Sequence, residues 1–259
     1  MWTNLKPRGY ARKGVDYEEY SLSGSEYILY SAEGLLLSGT ISYFFYRSIW
    51  AFLLSSPFLI IFLKVKKREL ARKRKQELNM QFKDMVLSVS ANQKAGYSVE
   101  NAFREAYKDM SMLYGQESHI CRELDYISKG LDNNVVLEKL LYDLAVRSHI
   151  QDIMQFADVF MIAKRSGGNM TEILSETADT IEQKISVDKE IQVLVSSKKM
   201  EQKIMNVVPF IIIFYIDITS KGFFDALYHN LIGVVVMTIC LAIYQAALVI
   251  SKKLVEIEV

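Results

Sequence analysis

Cysteine, proline and any excess of one charge are scarce in this 259-residue chain. Its two cysteines, Cys121 and Cys240, exclude a disulfide scaffold and a multi-cysteine zinc site. Three prolines exclude a loop-rich or disordered polymer. A net charge of +1 excludes, on global charge, a strongly basic nucleic-acid binder. The three histidines, His119, His149 and His229, are scattered, and neither HExxH nor CxxC occurs. GxGxxG and GxxxxGK[ST] are absent as well. The sequence therefore offers no catalytic constellation, no metal site and no cofactor or nucleotide site.

What is present is a division of the chain by polarity. Residues 27–63 and 204–250 make up 84 positions, and only Glu33, Arg47, Asp217, Lys221 and Asp225 among them are charged. The other 175 positions carry 56 of the 61 charges. Two apolar blocks thus flank a water-soluble segment.

The clearest span is Leu231–Ile250, 20 residues without a charge; as a helix this covers roughly 30 Å, the thickness of a bilayer core. Residues 204–219 form a partner, joined through TSKGFFDALYHN. The first block, residues 28–63, is 36 residues long; a single helix of roughly 54 Å is too long for one crossing. It reads as a span near 28–46, a tight turn at Arg47 and a return span near 48–63. Pro57 and Pro209 are expected to kink their helices. Seventeen basic residues flank the spans on one side, against Arg47 and Lys221 on the other. The positive-inside rule then puts both termini and the central segment in the cytosol. Residues 1–26 show no apolar run typical of a cleaved signal peptide, so the first span is expected to act as an uncleaved anchor.

The expected fold is all-α: a cytosolic segment over 1–26, a transmembrane hairpin over 27–63, a cytosolic helical domain over 64–203, a second hairpin over 204–250 and a tail over 251–259. Within 64–203 there is no proline and no strand-like alternation. A long helix over 66–95 is broken by AGYS, where Gly96 turns the chain and Ser98 caps the next helix. That helix aligns Val99, Ala102, Phe103, Ala106 and Met110 on one face. A third helix near 117–128 is expected to end at Gly130, and two more cover 134–147 and 150–165. Gly167 and Gly168 supply a turn, and Asn169 with Glu172 fits a capping box before a helix carrying Leu174, Ala178, Ile181 and Ile185. Between 76 and 197 there are 12 basic and 19 acidic residues, whereas 64–75 holds eight basic residues and one acid. A basic collar suited to membrane lipid thus adjoins an acidic body suited either to solvent or to a basic partner.

Two acids in the apolar blocks are candidate intramembrane polar contacts, Glu33 and Asp217. Asp217 and Asp225 lack the glycine context of an intramembrane aspartyl protease and are not read as catalytic. Gly96, Ser98, Gly167, Gly168, Asn169 and Glu172 are candidate interface or turn residues.

The order of these features resembles the type II secretion protein F domain family. FKDMVLSVSANQKAGYSVENAFREA is similar to the opening of that domain, and FADVFMIAKRSGGNMTEILSETADTIEQK to its glycine-glycine segment. MNVVPFIIIF and the ending ISKKLVEIEV resemble the tight-adherence protein B type of Flp pilus assembly. The resemblance covers roughly residues 28–259 and includes one copy of the domain. It implies a non-enzymatic platform protein of a bacterial or archaeal cytoplasmic (inner) membrane. Its implied partners are a cytosolic secretion ATPase, pilin or pseudopilin subunits, membrane lipid, and a second single-module chain or a second copy of itself. A membrane receptor or scaffold binding a cytosolic regulator through the same helices is the alternative of a different class.

Overall fold

The computed structural model describes residues 15–18, 20–166, 170–220, 222–224, 228 and 230–257. They form eight helices and, among the described residues, no strand. The order is α1 Gly24–Tyr46, α2 Ile49–Lys94, α3 Val99–Tyr114, α4 His119–Asp132, α5 Leu137–Ser148, α6 Gln151–Ser166, α7 Met170–Thr219 and α8 Leu231–Ile257. Two compact units result. One comprises the described residues up to Tyr20 with Arg68–Ile185; the other comprises Ser21–Lys67 with residues from Ser186 onward.

The helical unit is built from amphipathic helices. α3 buries Ala102, Phe103, Ala106 and Met110, the stripe its spacing defines. α5 packs on α6, α3 on α4 and α4 on α5. Phe82, Phe103, Phe156 and Phe160 meet at the centre: Phe82 lies edge-on to Phe156 at 5.2 Å, Phe103 edge-on to Phe160 at 6.2 Å, and Phe156 stacks on Phe160 at 6.0 Å. Such pairs add to the energy of burying the rings themselves. Leu174, Ala178, Ile181 and Ile185 of α7 complete the core.

The ends of these helices follow from their capping residues. Gly96 has φ +96° and closes α2, its N–H bonding to the Gln93 carbonyl at 2.9 Å. The Ser98 side chain accepts from the Asn101 N–H, and that of Ser118 from the Cys121 N–H. α4 departs from expectation. It runs through Gly130 to Asp132, and Gly130 is buried inside the helix rather than ending it. The reason is close packing: a Cβ at Gly130 would lie 2.5 and 2.7 Å from the Leu140 methyl carbons of α5. Glycine is used here for proximity and not for its left-handed freedom.

In the second unit, α1 ends at Arg47, which adopts the left-handed conformation (φ 41°, ψ 35°), and α2 begins two residues later. α1 meets the first part of α2 at Gly34. Gly34, Ser38 and Ser42 are buried, a Cβ at Gly34 would stand 3.1 Å from Phe62 and 3.2 Å from Leu59, and the Ser42 hydroxyl donates to the Ser48 carbonyl at 2.9 Å. α1 also contacts α8. Phe45, Tyr228 and Met237 form a small buried cluster, with Phe44 and Phe210 packed on it.

Three helices among the described residues are long and apolar enough to cross a membrane: Gly24–Tyr46, the helix Met170–Thr219 through its apolar window, and Ile232–Ser251. They are compatible with a membrane protein. Most side chains of the return segment expected over 48–63 lie outside the described residues, although its backbone is helical within α2. α7 continues as helix through Pro209.

Candidate functional site

The most elaborate polar arrangement described lies in the helical unit and begins with a residue that no sequence motif marks. Tyr17, in the short stretch before α1, is 1% exposed. Its hydroxyl donates to Glu123 Oε1 of α4 at 3.0 Å, across 106 positions of sequence. Glu123 is itself buried, and a carboxylate there needs a partner. Arg147 of α5 supplies one through both terminal nitrogens, Nη1 to Oε1 at 2.9 Å and Nη2 to Oε2 at 2.7 Å. Arg147 Nε donates in turn to Asp143 Oδ2 at 2.8 Å, one helical turn back. Burial disfavours the Arg147 charge, but the bonds to Glu123 and Asp143 outweigh it and raise its pKa. Burial, followed by the Glu123 carboxylate, pushes the Tyr17 hydroxyl far above its ordinary value, so it remains a donor.

The chain around Tyr17 is held mainly through its backbone. The Tyr17 N–H donates to the Arg147 carbonyl at 3.1 Å, and Arg147 Nη1 donates to the Val15 carbonyl at 3.1 Å. Arg74 of α2 donates to the Asp16 carbonyl at 2.8 Å, and its guanidinium lies 5.0 Å from the Tyr17 ring centre and 5.4 Å from that of Tyr20. The His119 ring meets the Tyr17 ring edge-on at 5.8 Å. His149 Nε2 lies 3.2 Å from Glu18 and 3.7 Å from Asp16. Ordering a segment of this length costs roughly 6–12 kcal/mol. One buried ring, at roughly 2–3 kcal/mol, and a handful of hydrogen bonds, several charge-assisted, at roughly 1–3 kcal/mol each offset a similar amount.

A second cluster lies in the other unit. Arg47, in the α1–α2 turn, donates through Nη2 to both carboxylate oxygens of Asp217 in α7, each at 2.5 Å. Its guanidinium lies 5.1 Å from the Tyr228 ring and 5.9 Å from the Tyr43 ring. The Tyr228 hydroxyl donates to the Phe44 carbonyl at 2.8 Å. Asp217 is therefore neutralised by the only basic residue of the first apolar block. Glu33, the other acid singled out from the sequence, lies 3.8 Å from Lys66 of α2, whose ammonium sits 5.4 Å from the Tyr30 ring.

The remaining candidates are not brought together. Gly96 and Ser98 form one turn with the capping geometry described above. Glu172 is exposed in the first turn of α7, where a carboxylate complements the helix dipole. Gly167, Gly168 and Asn169 lie outside the described residues, as do Lys221, Asp225 and His229. Three contacts had no sequence signal. Gln81 of α2, 3% exposed, accepts from the Ile120 N–H at 3.1 Å and so caps α4 from another helix. Lys164 of α6 joins Glu100 of α3 at 3.0 Å and Glu138 of α5 at 3.3 Å. Long sequence separation hides such pairs.

No group of acids, histidines and cysteines suited to a metal ion occurs among the described residues. Compared with protein-family models, curated proteins and solved structures, the chain matches none.

Proposed function

We propose that this chain is a non-enzymatic platform protein of the cytoplasmic (inner) membrane, serving a Flp- or type IV-like pilus assembly machine or a related type II secretion machine. In this reading, residues 27–63 and 204–250 form two transmembrane hairpins, and both termini and residues 64–203 lie in the cytosol. A secretion ATPase acts on the cytosolic helices, pilin subunits meet the membrane helices, and a second single-module chain or a second copy completes the platform.

One observation carries the reading. α2 and α7 each supply residues both to the core of the helical unit and to the apolar unit. A continuous helix is a stiff element, suited to passing a displacement along its length. The order of sequence motifs and the asymmetry of basic residues support the same view.

The test is purification from native membranes in mild detergent, with identification of the chains that come along. Recovery of a secretion-class ATPase with a second platform chain is the expected result. Recovery of a cytosolic regulator alone would overturn the reading in favour of a membrane receptor or scaffold.

A further inference from the structure

The stretch before α1 sits on the helical unit as a ligand sits in a site. We propose that the α4–α5 face, with Arg74 of α2, is a binding slot for an extended peptide carrying a tyrosine between acidic residues. Residues 15–18, with Tyr20, are its displaceable occupant in cis, so the chain holds its own slot closed.

Three features carry this. First, the slot is complete without its occupant. Arg147 bonds Glu123 Oε2 at 2.7 Å and Asp143 at 2.8 Å, and Nη1 also reaches Glu123 Oε1 at 2.9 Å. Removing the tyrosine strands no buried charge. Second, the occupant is recognised as peptides are. Its backbone is read at Val15, Asp16 and Tyr17, and one side chain is sunk to the bottom. Third, the slot discriminates. Glu123 Oε1 accepts the hydroxyl at 3.0 Å, which favours tyrosine over phenylalanine. The same carboxylate would repel a phosphate on that oxygen. His149, between Asp16 and Glu18, faces the acidic flanks. Asp16 and Glu18 are themselves exposed, so the strap is fastened chiefly at its centre.

The experiment uses the full chain in detergent and a fluorescent peptide with the sequence of residues 15–20, VDYEEY. In the Tyr17→Ala variant the tyrosine pocket is empty and the strap keeps only its backbone bonds, so the peptide is expected to bind saturably, about tenfold or more tighter than to the wild-type chain, whose slot is filled. A peptide with phenylalanine for tyrosine is expected to bind about tenfold more weakly, the value of one charge-assisted hydrogen bond. Equal binding to both chains, or none to a Tyr17→Ala chain with native helicity, would overturn the proposal. If Tyr17→Ala does not fold, Tyr17→Phe in the full chain is read by hydrogen exchange. Amides at residues 16–18 should then exchange about tenfold faster while α4 and α5 keep their protection. Loss of protection in α4 and α5 together with the strap would make it an integral part of the core, and the proposal would fail.

Discussion

Arg147 hydrogen-bonds three partners at once, Glu123, Asp143 and the Val15 carbonyl. Replacing it with methionine keeps the length and apolar stem but leaves the Glu123 carboxylate buried beside a lone tyrosine hydroxyl. Arg147→Met is therefore expected to destabilise the helical unit by about 3–5 kcal/mol, read from denaturant unfolding followed by circular dichroism. His119 yields a pH prediction. Burial holds its pKa below the ordinary 6.5. The folded chain thus binds fewer protons there than the unfolded chain, so stability is greatest above pH 6.5 and declines as pH falls from 6.5 through the lowered folded value. Replacing His119 with glutamine should flatten the dependence of Tm on pH in that window; an unchanged slope would refute the assignment. Glu100 acts in the same sense further down. Burial alone would raise its pKa, but the bond from Lys164 lowers it below 4.5, and its contribution is lost as pH falls through that lowered value. The pairings behind these effects did not show in the sequence, because each residue draws part of its environment from a partner on another element.

Helices were far more legible than their partners. The 3.6-residue spacing of Val99, Ala102, Phe103, Ala106 and Met110 marked α3, and four of those five positions are buried. Leu174, Ala178, Ile181 and Ile185 marked α7 in the same way, and all four join the core. Ser98 capped as its chemistry suggests, and Arg47 turned the chain where one apolar run was too long to be one span. Gly130 misled because a glycine after a lysine looks like a helix terminator, whereas its reason for being small is Leu140, ten residues later. Gly130→Ala follows directly. Its added methyl must displace a buried leucine, so a loss of about 1–3 kcal/mol is expected despite the better helix propensity of alanine. A stabilised variant would show that the α4–α5 spacing is looser than described.

Over the whole molecule, hydropathy and packing divide the chain at different places. The helical core ends at Ile185, while charge persists to Lys203. Between them α7 exposes Val187, Val193 and Leu194, so a polar composition there does not mean membership of the bundle. Composition reports the solvent a segment meets; only tertiary contact reports what it packs on, and a single sequence carries the first more plainly than the second. The proposed topology makes its own prediction. Reporters fused at residue 120 and at the C-terminus should both be active in the cytosol, and one inserted at Arg47 should not be; activity of the residue-120 fusion outside the cell would sink the platform reading. The two thiols offer one more consequence. Cys121 is sealed in the helical core and Cys240 is exposed on α8. With Cys240 replaced by serine, the protein keeps a single thiol, which a maleimide can reach only when the bundle breathes. Its labelling rate becomes a clock for that opening, which ligands or neighbouring proteins would visibly slow or quicken.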